Sequence, residues 1–272
     1  MEKIKLNYQD NSFDLDTYWL DPFSDFDKQV NHPLVIIFPG GGFTFQTDRE
    51  AQPIALKFAS EGFHAIVLHY QLIENDTQVY PLALQQTATT LNWLKSQAKK
   101  HNIDLNKIIL IGFSAGGHVV ADFNSIMTNA ETKERVYPDS LSVMPAANIL
   151  CYPVIDLSAG YPQTVKERLA ISRDTFFWQS QRHLTKYAKP TFIWQTVDDK
   201  TVPVNNSFLY SEKLNELNIP FELHLFESGR HGLSLGTYVT QRPGNEEHIN
   251  KYVAKWWELV VNWLKLQKIL KD

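Results

Sequence analysis

Six consecutive residues, Pro33 to Phe38 (PLVIIF), carry no charged or polar side chain. A run like this has no wet face. As a strand it must lie in a sheet covered on both sides, the situation of parallel sheets with helices above and below. The rest of the chain agrees. Apolar runs at His64–Tyr70, Lys107–Ile111, Ala147–Tyr152, Thr191–Thr196 and Phe221–Phe226 alternate with helical patterns near 49–61, 81–100, 115–128 and 204–217. In the second pattern Leu84, Ala88, Leu91 and Leu94 fall at helical spacing, and Gly62 is a good residue just past the end of the first. Residues 3–8 and 13–20, around Asp10-Asn11, predict an antiparallel hairpin at one edge. The expected fold class is therefore α/β: a mainly parallel, eight-stranded sheet with helices on both faces. One domain is expected over residues 1–272, with an irregular, cap-like segment at about 157–189 and a C-terminal helix at about 246–268.

Composition narrows the function. A net charge of −4 argues against a nucleic-acid binder, which would usually carry a basic stripe. The single cysteine, Cys151, excludes an intrachain disulfide. The N-terminus has no apolar core of a signal peptide, and no stretch of about 18 uncharged apolar residues could span a membrane. A cytoplasmic protein without membrane attachment is the expectation. The histidines lack metal-ligand spacing, and no cofactor or metal is implied.

The Lys107–Ile111 strand runs straight into Gly112-Phe113-Ser114-Ala115-Gly116-Gly117, and a helix should follow. A Gly-x-Ser-x-Gly turn between a buried strand and a helix lifts the serine hydroxyl clear of the sheet, above a helix N-terminus that favours an anion. The same glycines could serve packing alone, but they lack the spacing of a dinucleotide loop. Ser114 is thus the candidate nucleophile. Pro39-Gly40-Gly41-Gly42-Phe43 follows the PLVIIF strand. In hydrolases built on such a sheet this loop supplies N–H donors for an oxyanion, joined by the residue after the nucleophile. That points to Gly41, Gly42 and Ala115. A Walker loop would need Gly-Lys-Ser/Thr, and Gly-Phe-Thr stands here instead.

A serine needs an adjacent imidazole to take its proton. Among nine histidines, His231 lies in a Gly-containing loop after the last strand, Ser228-Gly229-Arg230-His231-Gly232, from which a side chain can reach the sheet edge. His224 falls inside a strand, and His118 should point away from the hydroxyl and pack. The carboxylate that orients the base is expected after the penultimate strand, in Asp198-Asp199-Lys200-Thr201-Val202-Pro203. Asp199 is favoured over Asp198 because Asp-x-x-Val-Pro is the usual arrangement. Asp156 is a third candidate, read as structural.

Five ordered stretches, FPGGGF (38–43), GFSAGGH (112–118), YPVIDL (152–157), VDDKTVPVNNS (197–207) and HLFESGRHGLSLG (224–236), resemble the acetyl-esterase and acetylxylan-esterase-like branch of the α/β-hydrolases, relatives of hormone-sensitive-lipase-type esterases. The resemblance implies a serine esterase that cleaves short acyl esters, commonly acetyl groups on sugars, through an acyl-enzyme. Three positions depart from it. Pro39 stands where the family often has histidine, which removes a supporting hydrogen bond. Gln71 stands where Arg commonly follows Tyr70, and Gln86 where a carboxylate often lies. A charge pair replaced by an amide pair would account for the last two.

Phe43, beside the oxyanion loop, and Trp178, with Tyr161, Phe176 and Phe177 in the cap-like segment, are candidates for a substrate pocket; the cap aromatics could equally form a satellite core. The apolar stripe of the C-terminal helix reads as core-facing, with an oligomer contact as an alternative. The expected partner is a small-molecule ester. A peptidase or thioesterase with the same triad, or a non-catalytic ligand-binding protein, are the other readings.

Overall fold

The structure, a computed structural model, describes residues 1–22, 24–25, 30–244 and 246–271. Its strands are β1 (Glu2–Tyr8), β2 (Asn11–Tyr18), β3 (His32–Phe38), β4 (His64–Leu68), β5 (Ile103–Phe113), β6 (Ala147–Cys151), β7 (Thr191–Thr196) and β8 (Phe221–Phe226). They form one sheet in the order β1-β2-β4-β3-β5-β6-β7-β8. The β1–β2 hairpin joins β4 antiparallel, and β4 through β8 are parallel.

Alternation along the buried strands divides the core in two. Leu34, Ile36 and Phe38 of β3, Leu110 of β5 and Ile193 of β7 face one layer. That layer is covered by α2 (Leu82–His101), α3 (Ala115–Ile126) and α6 (Asn205–Glu216). Val35, Ile37, Ile109, Ile111, Phe192 and Trp194 face the other, under α1 (Gln52–Ala59) and α7 (Trp256–Leu266). This is why the central strands read as unbroken apolar runs: both faces are dry. Two short helices, α4 (Ala130–Val136) and α5 (Val165–Ile171), complete the set.

The structure corrects two boundaries. β5 begins at Ile103, because α2 ends on Asn102 in the left-handed conformation (φ 53°) and the chain turns directly into the strand. The C-terminal helix is shorter than expected and starts at Trp256 after 3-10 turns. Its face does turn inward: Trp256, Trp257, Val260, Trp263 and Leu264 are buried. The cap-like segment is turn and coil over most of its length, with 3-10 turns and one short helix. It holds α5, closed by a capping box in which Glu167 N–H donates to Thr164 Oγ1 and the Glu167 carboxylate accepts from Thr164 N–H.

Register decides where chemistry can occur. Phe38 pairs with Gly112, Phe113 with Cys151, Cys151 with Trp194 and Thr196 with Phe226. The loops after β3, β5, β7 and β8 therefore leave the sheet at one rim, the C-terminal edge where open α/β sheets bind ligands.

Candidate active site

At the end of β5, Ser114 adopts φ 52° and ψ −116°. A non-glycine residue held there costs about 1–3 kcal/mol, offset by the surrounding packing. Gly116 makes the turn possible: a Cβ there would lie 2.1 Å from the carbonyl oxygen of Phe38 on the neighbouring strand. The elbow is further fixed by Ser114 N–H donating to Cys151 O at 3.0 Å, and by Val154 N–H donating to Ser114 O at 3.0 Å.

Ser114 Oγ lies 2.8 Å from His231 Nε2, and His231 Nδ1 lies 2.7 Å from Asp199 Oδ2. The second oxygen of Asp199 accepts from the N–H groups of Thr201 (2.8 Å) and Val202 (3.0 Å). The carboxylate is thus fully bonded with its side chain out of solvent. A buried carboxylate on Nδ1 fixes the tautomer that leaves Nε2 free to accept the serine proton. The loops after β5, β7 and β8 bring together the three residues named from the sequence. Asp198, one residue away, does something else. It accepts from Ser228 Oγ and Gly229 N–H and so pins the histidine loop.

Gly41 and Gly42 line the cavity that holds Ser114. Among the described residues no acceptor takes their N–H groups or that of Ala115. Gly41 (φ 136°) has no room for a side chain, since a Cβ would sit 2.1 Å from Phe45 O. Above Gly42 stands the Tyr161 hydroxyl, 2.5 Å from where a Cβ would be. Ala115 is fully buried, so only its backbone is in play.

The loop is supported by groups that sequence reasoning missed. Gly40 N–H donates to Glu50 Oε2 at 2.8 Å, and Tyr70 OH donates to Pro39 O at 2.7 Å. Glu50 is 1% exposed. Its other oxygen accepts from Tyr152 OH at 2.6 Å, and that hydroxyl accepts from Ser234 N–H at 3.0 Å. The Tyr152 ring meets the His231 imidazole edge-on at 5.0 Å. Burial pushes the Glu50 carboxyl above its ordinary range, while its Tyr152 and Gly40 donors pull it back. The only sequence signal was an acidic residue at the head of a helix, which reads as solvated.

Two pocket expectations are corrected. Phe43 does not line the cavity: it has φ 65° and is fully buried, its ring turned onto His118 at 5.9 Å. Trp178 is drawn aside by its Nε1–H bond to Ser172 O and lines a separate cavity with Arg135 and Phe176. The cavity at Ser114, about 990 Å³, is walled instead by Phe45, Ile73, Tyr161, Ala170 and Ile171. The glutamine pair is also revised. Gln86 Oε1 accepts the backbone N–H of Gln71 at 2.7 Å, and the Gln71 amide turns to Leu72 O. His118 packs, its Nδ1 hydrogen-bonded with Tyr80 OH at 2.6 Å, and burial holds its imidazole down to about 4. Asp156 is structural: it ties Gln179 and Gln181 to the rim.

Known proteins share this fold. The solved carboxylesterase Cest-2923 from Lactobacillus plantarum WCFS1 superposes with a TM-score of 0.98 at 45% identity, covering 100% of this chain and 98% of that one. An acetyl ester-xyloside bifunctional hydrolase from Caldicellulosiruptor lactoaceticus gives 0.78 at 30% identity, with 97% and 92% covered. Endo-1,4-beta-xylanase B of Butyrivibrio fibrisolvens is 30% identical over 211 residues, 76% of this chain. The chain spans only 33% of that protein's length. The BD-FAE family model matches residues 20–214, well over half of the sequence. The chain belongs to the BD-FAE family and has the α/β-hydrolase fold.

Proposed function

We propose that this protein is a serine esterase that removes short acyl groups, acetyl above all, from a small-molecule alcohol such as a sugar. The observation that carries the reading is the unbroken series Ser114 Oγ, His231 and Asp199, at 2.8 and 2.7 Å, beside three N–H groups without an acceptor among the described residues. In the proposed cycle Ser114 Oγ attacks the acyl carbonyl while His231 Nε2 takes its proton. The oxygen that becomes negative accepts from Gly41, Gly42 and Ala115, each donor contributing about 2.7–4 kcal/mol to the transition state. The tetrahedral species collapses to an acyl-serine, and His231 returns the proton to the departing alcohol. Water then repeats the sequence and frees the acid.

Two further points support the finer claims. The Tyr161 hydroxyl closes the space over Gly42, which favours a small acyl group over a long one. The names of the Caldicellulosiruptor and Butyrivibrio relatives both concern xylose-based carbohydrate, which suits a sugar alcohol.

The test is hydrolysis of p-nitrophenyl acetate, butyrate and octanoate, beside a peptide anilide and an acyl thioester. Acetate should be turned over best, and Ser114→Ala should lose at least about 10⁴-fold in kcat. Ester turnover that survives the serine change would refute the mechanism. A preference for octanoate, the anilide or the thioester would refute the substrate class.

A further inference from the structure

One wall of the cavity carries fixed positive charge that the reaction outlined above does not use. Arg230 and Gly232 flank His231, and Arg49, Arg242 and His248 line the same cavity. Arg49 directs its Nη1 to two carbonyl oxygens, Gly232 at 2.7 Å and Thr240 at 3.4 Å, which satisfies hydrogens without neutralising the guanidinium. Arg230 pairs with Glu247. Arg242 stands exposed at the mouth, and no described residue gives it a hydrogen bond or a carboxylate. His248 is 1% exposed, and its Nδ1 has no partner among the described residues. Burial and the charges of Arg49, Arg230 and Arg242 hold that imidazole down to about 4, so it adds no charge of its own to the wall. The carboxylates that line the cavity, Glu50, Glu167 and Asp198, are turned to donors of their own, and with Lys200 the lining holds four cationic side chains against these three. Glu50 accepts from Gly40 and Tyr152, Asp198 from Ser228 and Gly229, and Glu167 from Thr164.

We propose that this wall is a subsite for an anionic group, a carboxylate or a phosphate, on the alcohol part of the ester, with Arg242 as its principal ligand and Arg230, one nitrogen of which is held by the exposed Glu247, as the second. The inference rests on the esterase reading and narrows its substrate to acylated sugars or small alcohols that bear an acid. The side is fixed by the chemistry: His231 protonates the leaving oxygen, so the alcohol lies against the loop that carries Arg230 and Gly232. The acyl group lies toward Gly41, Gly42 and Tyr161. Guanidinium forks match the geometry of carboxylate and phosphate oxygens, which an ammonium group would meet only as a point charge.

Binding to Ser114→Ala protein, read by calorimetry at low salt, tests the subsite without turnover. Glucuronate and glucose 6-phosphate are the charged probes, and glucose is the neutral one. Hydrogen bonds to charged groups predict that one or both acids bind at least about tenfold more tightly than glucose. The margin should collapse in the Ser114→Ala/Arg230→Gln/Arg242→Gln protein, and shrink at about 0.5 M salt. Which acid wins identifies the charged group. Equal binding of all three sugars, or a margin that survives loss of both arginines, overturns the proposal. Wild-type turnover of p-nitrophenyl acetate, measured in parallel, reports the esterase reading separately, so the two can fail independently.

Discussion

At Glu50 a single buried carboxylate touches both halves of the proposed machinery. One oxygen holds the glycine loop after β3 through Gly40, and the other holds Tyr152, whose ring backs His231. Both partners are donors, so the position calls for two acceptors. Glu50→Gln keeps the shape but turns one acceptor into a donor that faces another donor. The expected result is a fall in kcat of about 10–100-fold from slight misplacement of the loop and the base, with KM changed far less. Steady-state kinetics beside a thermal unfolding curve checks this. Lost stability with unchanged kcat would make Glu50 merely structural. Ser114, His231 and Asp199 are legible in the sequence because each lies in a local pattern whose geometry is set by its own neighbours: glycines two residues either side, a loop after a strand, Asp-x-x-Val-Pro. Glu50 is not, because its partners, Gly40, Tyr152 and through it Ser234, come from loops that only tertiary folding brings together. Phe43 misleads for a related reason. Sequence adjacency to the glycine loop says nothing of facing, and a left-handed backbone turns the ring into the core.

The elements are legible to the extent that one periodicity describes them. β3 and β5 to β7 announce themselves because both faces are dry. Helix α5 does not, as seven residues give too few turns for a periodic signal, although Thr164-x-x-Glu167 is present as a capping box. That small helix matters to the site, for Glu167, Ala170 and Ile171 form part of the cavity wall. Removing the cap with Thr164→Ala should cost about 1 kcal/mol locally. Amide exchange across 165–171 should quicken while the sheet stays protected, since local openings follow local stability. The hydrogen bonds of the proposed active-site series do not involve α5, so KM should rise with kcat little changed. A fall in kcat at constant KM would show that the cap segment acts on the chemistry and not on binding.

Across the whole molecule, the C-terminal helix is bound into the same rim from the opposite layer. Trp256 stacks on Trp194 of β7 at 5.2 Å, and its Nε1–H donates to Ser234 O at 2.9 Å. Ser234 N–H donates to Tyr152 OH, and its hydroxyl donates to Arg49 O. A residue far downstream of Ser114 therefore anchors the loop that carries His231. Trp256→Phe separates the two contributions of that residue. The smaller ring keeps most of the apolar contact but leaves the buried Ser234 carbonyl without its donor, a loss of about 1–3 kcal/mol. The missing part of the indole adds a cavity penalty of similar size. Urea unfolding should report the sum as a lower midpoint with an unchanged slope, because the surface exposed on unfolding hardly differs. If the chain from α7 to His231 is mechanically coupled, kcat for p-nitrophenyl acetate should fall as well, at urea concentrations well below the transition. Full kcat in a clearly destabilised Trp256→Phe protein would mean that Asp198 and Asp199 alone keep the imidazole in place, and that the C-terminal helix serves stability only.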